Sequence, residues 1–424
     1  MFSLFYNCAL FFLALLALPK LLWQWWVLGK YRESLQERLG LKLPAFLKEE
    51  KVIWIHAVSV GETRSVIPLF KKIKQIHPNA AFVISSTTET GHAEAKRSMP
   101  DAALHIFLPF DFSWIIRRTI ARLHPDVLIF VESDFWFHLI EGVKKQGGRV
   151  LLVNGKVSER SMKRFCKVPF FTNKLFGRID HLCVQSPLFL ERFAKMGVPA
   201  QKMTATGNLK FDAALKHIEP QERQRWREEL GIQSQDRVIV IGSTHAPEEE
   251  WLLSALDAVW KQIPELKVLI VPRHPERFGA VAEQIRARGW TLSTYSERSK
   301  QTGDERIVLI DAMGLLITCY QLAEVAIVAG SFTDKVGGHN AFEPVLLGIP
   351  VLFGPHMHTQ NDIASLILQG RAGKQVSLSD LPDTLIAWLS NEQELASYAN
   401  NCKELSLQTA GSVERTYNAL SEFL

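Results

Sequence analysis

The chain has 424 residues, of which 47% are hydrophobic and 22% are charged, and this balance excludes an intrinsically disordered protein. Its net charge of +5 is too small to indicate a nucleic-acid-binding protein, but it suits a phosphorylated ligand or an anionic membrane. The five cysteines are scattered and form no CxxC pair, so neither a disulfide framework nor a zinc site is predicted.

The N-terminus is typical of a membrane anchor, which we place at residues 1–28. Residues 1–19 carry no charge, and the tryptophan-rich run LLWQWWVLG follows at 21–29, where an aromatic belt would lie. Two modes stay open: a helix that spans the bilayer and a helix that dips into one leaflet. The basic residues that follow predict a cytoplasmic body: Lys20, Lys30, Arg32 and Arg38.

After the anchor, apolar β-branched runs alternate with amphipathic segments, which predicts an α/β protein with parallel sheets. The first series of predicted strands is 52–59, 81–86, 104–110, 126–132, 150–154 and 181–185. The second series is 238–243, 268–271, 307–311, 325–329 and 351–353. We predict two doubly wound Rossmann-like domains that face a cleft: 29–215, a linker with an exposed helix at 216–235, and 236–424. An alternative in which the last helix packs back on the N-terminal domain stays open.

In such folds, ligands bind beyond the carboxyl ends of the strands, and the polar residues there are the candidates. Glu62 follows the first strand within HAVSVGETRSVIP (56–68), at the predicted start of a helix. An acidic residue in the first turn of a helix is often only stabilising, so that interpretation of Glu62 competes with a catalytic one. Glu132 and Asp134 follow the fourth strand, and Lys210 lies near the end of the first half.

The second half contains a glycine-rich stretch, GSFTDKVGGHNAFEP (330–344), that is typical of a nucleotide site. Gly337 and Gly338 allow backbone N–H groups to approach an anion, and a helix is predicted to start near Asn340. Glu343, in its first turn, is placed to accept hydrogen bonds from ribose hydroxyls. Arg273 in PRHPER could bind a phosphate or a base edge, although a plain surface arginine is the alternative.

No HxxxH pair, DxD element or Walker loop occurs, so no dedicated metal site is predicted. A sugar nucleotide that leaves with a single phosphate would suit such a site. Glu62 and Glu132 could be a glycosidase pair, but a hydrolase has no use for a nucleotide domain. In a transferase, one carboxylate is the base and the second stabilises the positive charge on an oxocarbenium-like carbon. Lys210 stabilises the negative charge on the donor.

Six motifs of this chain, in their order, resemble those of the 3-deoxy-D-manno-octulosonic acid (Kdo) transferases of lipid A assembly. They are HAVSVGE, FVESDFW, TGNLKFD, VPRHPER, DAMG and GGHNAFEP. The resemblance implies a GT-B glycosyltransferase, inverting, metal-independent and without a cofactor. It would move Kdo from CMP-Kdo to the lipid A precursor (lipid IVA) on the cytoplasmic face of the inner membrane, without any nucleic-acid partner.

The resemblance also assigns roles to residues. The general base falls on Glu62, and the positions that stabilise the transition state fall on Glu132 and Lys210. The CMP contacts fall on Pro272, Arg273, Met313, Gly314, Leu315, Asn340, Ala341, Phe342 and Glu343. Two positions depart from the family: Leu315 stands where an acidic residue is common, and Phe137 replaces a proline.

Basic residues are expected to bind the phosphates of the acceptor, although charged helix faces are usually just solvated. The candidates are Arg64, Lys71, Lys72 and the set within 156–167. Two other functions stay open. One is a different GT-B enzyme, a heptosyltransferase or an epimerase, and the other is a non-catalytic membrane-bound binder of lipid or sugar nucleotide.

Overall fold

The computed structural model describes residues 2–27, 34–43, 51–212, 215 and 217–424. The chain divides into two compact units. The first comprises Met1–Ala213 together with Gly411–Leu424, and the second comprises Ala214–Ala410. Within the described residues, each unit contains its own seven-stranded sheet.

The sheet of the first unit has the order β3-β2-β1-β4-β5-β6-β7, and all neighbouring strands are parallel. Its strands are β1 Val52–His56, β2 Ala81–Ser86, β3 Leu104–Phe107, β4 Val127–Val131, β5 Arg149–Gly155, β6 His181–Val184 and β7 Met203–Ala205. Its helices are α1 Phe2–Val27, α2 Leu35–Arg38, α3 Val60–Ile76, α4 Glu89–Ser98, α5 Ser113–Leu123, α6 Phe137–Lys145, α7 Glu159–Cys166, α8 Pro169–Phe176 and α9 Pro187–Lys195, with 3₁₀ turns at Ala200–Lys202 and Leu209–Asp212.

The sheet of the second unit has the order β10-β11-β9-β8-β12-β13-β14 and is also parallel throughout. Its strands are β8 Arg237–Thr244, β9 Leu266–Pro272, β10 Leu292–Thr294, β11 Ile307–Leu309, β12 Val325–Val328, β13 Val351–Phe353 and β14 Gly373–Gln375. Its helices are α10 Pro220–Glu229, α11 Glu248–Gln262, α12 Phe278–Ala287, α13 Leu316–Tyr320, α14 Phe342–Leu346, α15 Asn361–Gln369, α16 Leu381–Ser390 and α17 Glu392–Thr409, with 3₁₀ turns at Pro275–Arg277 and Tyr295–Lys300.

Helices cover both faces of the first sheet, which explains why its strands are apolar throughout. Successive residues of β1 belong to different core clusters: Trp54 packs on one face, while Ile53 and Ile55 pack on the other. This alternation follows from the two-residue period of a strand. The central strands β1 and β4 are buried along their whole length.

All eleven predicted strands are confirmed, with ends that differ by a few residues. Three strands were not predicted: β7, β10 and β14. Each has three residues and lies at an edge of its sheet, where partial exposure removes the need for an apolar run. The charged segment after residue 216 forms α10, and none of its residues is buried.

The last helix, α18 Ser412–Leu420, belongs to the first unit. The Asp212 carboxylate accepts hydrogen bonds from the backbone N–H groups of Gly411 at 2.8 Å and Val413 at 2.5 Å. The Arg415 guanidinium donates to the carbonyl of Thr206 at 3.0 Å. These contacts support the segment 206–212, which carries Lys210.

Candidate functional site

Glu132 lies directly after β4 and forms the centre of a charged cluster in the first unit. Its carboxylate is 2.8 Å from the Lys210 ammonium and 2.7 Å from the Lys156 ammonium. The residue is only 4% exposed, and its φ of 68° is in the left-handed region, which non-glycine residues rarely adopt. A strained backbone that turns a buried carboxylate toward two lysines is a feature found at functional sites.

Two opposing effects set the ionisation of Glu132. Burial raises its pKa, but the charges and hydrogen bonds of Lys210 and Lys156 outweigh burial and bring the pKa below its ordinary value. Glu132 is therefore an anion at neutral pH. One carboxylate and two ammonium groups leave one net positive charge, and both lysine side chains remain partly exposed. These two partly exposed ammonium groups can therefore contact an anionic ligand.

Asn154, at the end of β5, holds the backbone that precedes Lys210, and sequence reasoning missed it. Its side-chain oxygen accepts a hydrogen bond from the Leu209 N–H at 3.0 Å, and its amide lies 3.4 Å from the Glu132 carboxylate. Asn154 is fully buried, with φ of 54°. The available signal was a polar residue that ends an otherwise apolar strand.

Glu62 occupies the first turn of α3, as predicted, and makes the contacts of a helix cap. The Ser59 hydroxyl accepts from the Glu62 N–H at 3.4 Å, while Glu62 Oε2 accepts from the Val58 N–H at 2.8 Å. Over the ranges that the structure describes, Glu62 Oε1 has no hydrogen-bond donor. One oxygen is thus structural, and the other is available to a ligand.

The pKa of Glu62 is raised to about 7. The main cause is burial, which the hydrogen bond from Val58 opposes, and the negative charges of Glu132 and Asp134 raise it further. A carboxylate with a pKa near the working pH has the ionisation that a general base requires. The capping contact and a catalytic role are therefore compatible, and the electrostatic coupling brings Glu62 and Glu132 into one site.

Asp134 is held in place by a buried histidine that the sequence analysis did not single out. His56 Nε2 hydrogen-bonds with Asp134 Oδ2 at 3.1 Å, and His56 Nδ1 hydrogen-bonds with the Ser85 hydroxyl at 2.8 Å. The Trp136 indole N–H donates to the same Asp134 oxygen at 2.7 Å. These contacts fix a negative charge close to Glu62.

Some of the basic residues expected at the acceptor phosphates form ion pairs with acidic residues of the first unit. Arg64 pairs with Glu94 at 2.9 Å, and Lys72 pairs with Glu414 at 2.7 Å. Lys71 is exposed. The remaining members of the basic set lie on α7 or just after it, around an open depression of about 660 Å³: Arg160, Lys163, Arg164 and Lys167. Lys156 belongs instead to the Glu132 cluster.

The glycine-rich stretch of the second unit forms a tight backbone cradle. Gly337 and Gly338 have φ of 83° and 93°, and a Cβ atom on either would lie 2.4 Å from a side-chain atom of His358 or Met357. The Gly338 N–H donates to the Gly330 carbonyl at 2.8 Å. Only glycine satisfies both the conformation and the close approach.

Glu248, in the first turn of α11, holds the backbone at the start of the glycine-rich stretch. Its carboxylate accepts hydrogen bonds from the backbone N–H groups of Gly330 at 2.7 Å and Phe332 at 2.9 Å. Glu248 is fully buried, and burial raises its pKa. Sequence reasoning missed Glu248 because it is one of three consecutive glutamates that look like an ordinary acidic helix start.

The predicted helix after the glycines begins at Phe342, two residues after Asn340. The Asn340 side chain accepts from the Phe342 N–H at 3.2 Å and donates to the Glu343 carboxylate at 3.2 Å. Ala341 and Phe342 are fully buried, and the Phe342 N–H is the one that already donates to Asn340. Glu343 lies in the first turn, as predicted.

Arg273 is exposed directly after the buried Pro272, which ends β9. It lies near a histidine pair in which His245 Nε2 and His339 Nε2 are 2.7 Å apart. The pKa of His339 is lowered to about 4, mainly by burial and then by His245 and Arg273. The pKa values of both histidines are lowered, so they are neutral at pH 7, and Arg273 supplies a positive charge close to them.

The remaining predicted positions form the turn before α13. Met313 is 54% exposed, Gly314 has φ of 86°, and Leu315 immediately precedes the helix. Tyr320, at the end of α13, has its pKa raised by burial and by the charge of Glu343. Among the described residues, no group of three or more His, Cys, Asp and Glu side chains could hold a metal ion.

The family described as "3-Deoxy-D-manno-octulosonic-acid transferase (kdotransferase)" matches residues 33–213. The 3-deoxy-D-manno-octulosonic acid transferase of Chlamydia pneumoniae is 33% identical over 427 residues, covering 100% of this chain and 97% of the relative. The Haemophilus influenzae enzyme of the same name is 29% identical, covering 93% and 92%.

A solved structure with the same fold is the UDP-GlcNAc 2-epimerase of Neisseria meningitidis bound to UDP-GlcNAc. The TM-score is 0.63 at 12% identity, over 88% of this chain and 100% of the epimerase. A likeness at this identity concerns the fold alone. With two parallel seven-stranded sheets, it confirms the predicted GT-B fold.

Proposed function

The chain belongs to the 3-deoxy-D-manno-octulosonic acid (Kdo) transferase family and is a glycosyltransferase, and we propose that it moves Kdo from CMP-Kdo to the lipid A precursor lipid IVA. The observation that carries the proposal is the pairing of a half-buried Glu62, with a pKa of about 7, and an ionised Glu132 held by two lysines. Transfer to a hydroxyl group needs a base, and transfer from an anionic donor needs positive charge.

Glu62 is the general base in this mechanism. Its free Oε1 takes the proton from the acceptor hydroxyl as the oxygen attacks the anomeric carbon of Kdo. The new C–O bond forms on the face opposite the departing phosphate, the old bond breaks with its electron pair on the phosphate oxygen, and CMP leaves. The anomeric configuration is therefore inverted.

Glu132, Lys156 and Lys210 stabilise the charges of the transition state. The anomeric carbon becomes positive as the bond to the phosphate lengthens, and a preorganised carboxylate stabilises that charge. The two lysines stabilise the negative charge on the donor. Because Glu132 already holds both ammonium groups in place, little reorganisation is needed during the reaction.

The second unit binds CMP in this proposal. Arg273 binds the phosphate or the base edge, Glu343 accepts from the ribose hydroxyls, and Asn340 orients Glu343 through its 3.2 Å hydrogen bond. The other contacts come from Pro272, Met313, Gly314, Leu315, Ala341 and Phe342. We propose that the reaction needs no metal, because the leaving group carries one phosphate and no diphosphate has to be bridged.

We place the enzyme on the cytoplasmic face of the inner membrane, where α1 holds it. Within the described residues, one helix is long and apolar enough to cross a membrane, with its most apolar stretch at Phe2–Pro19. The acceptor is itself a membrane lipid, so an anchored enzyme meets it within the plane of the bilayer.

The decisive experiment is transfer of Kdo from CMP-Kdo to a tetra-acylated, bisphosphorylated lipid A precursor, followed by mass spectrometry with and without EDTA. Glu62→Gln should lose at least about 100-fold in rate, as removal of a general base does. Glu392→Gln, which removes an exposed first-turn acid from α17, is the matched control and should be unchanged. An inactive wild type would refute the proposed donor and acceptor, and loss of activity in EDTA would refute metal independence.

A further inference from the structure

The first two turns of α1 are bound to the first unit by specific polar contacts. The Tyr6 hydroxyl donates to the Asp111 carboxylate at 3.0 Å. Asn7 and Ser113 exchange two hydrogen bonds, from the Asn7 amide to the Ser113 hydroxyl at 2.9 Å and from the Ser113 N–H to the Asn7 oxygen at 3.1 Å. Ser3 completes the set through a 2.9 Å hydrogen bond with His138.

Asp111 is a buried hydrogen-bond acceptor whose position is fixed by other contacts of the first unit. It is 3% exposed and also accepts from the backbone N–H groups of His138 at 3.0 Å and Leu139 at 2.8 Å. Aromatic packing adds to the polar contacts: the Phe2 ring lies 4.9 Å from Phe137, and the Lys174 ammonium lies 4.5 Å above the Phe2 ring. A buried polar site filled by α1 indicates a fixed attachment.

The chain after α1 is attached at the neighbouring position of the same unit. The Phe110 N–H donates to the Arg38 carbonyl at 2.9 Å, one residue before Asp111. The Arg38 guanidinium, which is 5% exposed, donates to the Thr87 carbonyl at 2.6 Å. The Phe107 N–H donates to the Glu37 carboxylate at 3.1 Å. Both flanks of α1 are therefore held on one side of any membrane that the helix enters.

We infer that α1 is inserted into a single leaflet and does not cross the bilayer. With both flanks on one side, the chain must cross an even number of times. Only residues 28–33 separate Val27 from Ser34, and they include Lys30, Arg32 and Glu33. Six residues cannot recross a hydrocarbon core of about 30 Å, and charged groups there are costly. The number of crossings is therefore zero.

The exposed part of α1 fits the hydrocarbon of one leaflet. From Phe11 to Leu18 every residue is apolar and exposed, so this stretch is apolar on all sides. A helix about 10–12 Å in diameter fits within a leaflet about 15 Å deep, half the hydrocarbon core. Trp23 and Trp26, exposed at the far end, suit the interface between lipid and water.

The surface around the docked end also suits lipid. Trp114, next to the Asn7 contact, is 52% exposed, and Phe170, whose ring lies 5.7 Å from that of Phe2, is 70% exposed. Arg117 and Arg118 are exposed on the same helix as Trp114 and can meet anionic headgroups. The first unit thus contacts the membrane surface directly, and it is not tethered at a distance by a helix that spans the bilayer.

The topology is tested with the full chain carrying one epitope tag at each terminus, in sealed inverted and right-side-out inner-membrane vesicles. We expect an added protease to remove both tags completely in inverted vesicles and neither in right-side-out vesicles. Removal of the two tags from opposite sides would overturn the inference. Retention of the chain through a carbonate wash is also expected, and release into the wash would overturn insertion into lipid.

A second measurement does not depend on added tags. In a chain in which the exposed Cys8 and Cys166 are replaced by serine, Asn7→Cys with Ser113→Cys should form an intrachain disulfide on oxidation in native membranes. Leu16→Cys with Ser113→Cys is the control pair and should not cross-link, because Leu16 lies well beyond the docked turns. Absence of the first cross-link in a chain that still transfers Kdo would show that the start of α1 is not docked.

Discussion

The Glu132 carboxylate and the Lys210 ammonium are 2.8 Å apart, although one lies after the fourth strand and the other in a 3₁₀ turn after the seventh. The pair depends on two supports: Asn154, which binds the backbone N–H before Lys210, and Asp212, which ties the same turn to α18. The position of the Lys210 ammonium is therefore set by three parts of the chain together: the strands of the first sheet, the 3₁₀ turn and the C-terminal helix α18.

Replacement of Lys210 should separate its catalytic contribution from its structural one. Lys210→Met removes one of two positive charges from Glu132, and Lys156 remains to pair the carboxylate. We expect a loss of about 100-fold or more in kcat. The free energy of unfolding should fall by less than the roughly 3–5 kcal/mol typical when a buried charge is left without any partner. Transfer kinetics and urea denaturation measure the two effects.

Lys144→Met is the matched control for this prediction. Lys144 pairs with Asp180 at 2.8 Å, and its side chain is 26% exposed, close to the 25% of Lys210. This variant should lose comparable stability and keep its activity. Equal loss of activity in the two variants would mean that the effect of Lys210 is structural.

Glu62 should make activity and stability depend on pH in opposite directions. Transfer requires the ionised carboxylate, so the rate should fall as the pH drops below about 7, the pKa of Glu62. Because this pKa is above that of an unfolded glutamate, the folded state binds the proton more tightly. The stabilisation is present below about pH 4.5 and is lost as the pH rises through about 7.

Glu62→Gln therefore tests the pH dependence of activity and the pH dependence of stability in one variant. At pH 8 it should unfold at a higher urea concentration than the wild type, with a gain of up to about 3 kcal/mol, and the gain should vanish below about pH 4.5. Its transfer rate should be low at every pH. A variant that keeps a normal rate, or that is less stable at pH 8, would indicate that the capping contact is the only role of Glu62.

The sequence predicted the central strands because strands covered on both faces must be apolar, as β1 and β4 are. The same rule could not identify β7, β10 and β14, which lie at sheet edges and are partly exposed. The candidates Glu62 and Glu132 followed from their positions after strands. Asn154 and Glu248 were missed because their partners are backbone N–H groups far away in the chain, and no local pattern encodes those contacts.

Arg273 should matter for the geometry of its donors as well as its charge. Arg273→Lys keeps the charge but loses the planar fork that binds phosphate through two parallel hydrogen bonds. We expect the Kd for CMP to rise by about 10-fold, measured by calorimetry, with little change in thermal stability because Arg273 is exposed. Arg288→Lys, which alters an exposed arginine paired with Glu250, should leave CMP binding unchanged. Unchanged affinity in Arg273→Lys would exclude a bidentate contact.

Glu248 should control CMP binding without touching the nucleotide. Its carboxylate accepts from Gly330 and Phe332, and Glu248→Gln would turn an amide N–H₂ group toward one of these two donors. The unsatisfied contact should cost about 1–3 kcal/mol in stability and displace the glycine cradle, which would weaken CMP binding by roughly 10-fold. Glu250→Gln, two residues along α11 and 59% exposed, is the control and should bind CMP normally. If Glu248→Gln loses stability but binds CMP with unchanged affinity, the cradle that Glu248 supports is not the nucleotide site.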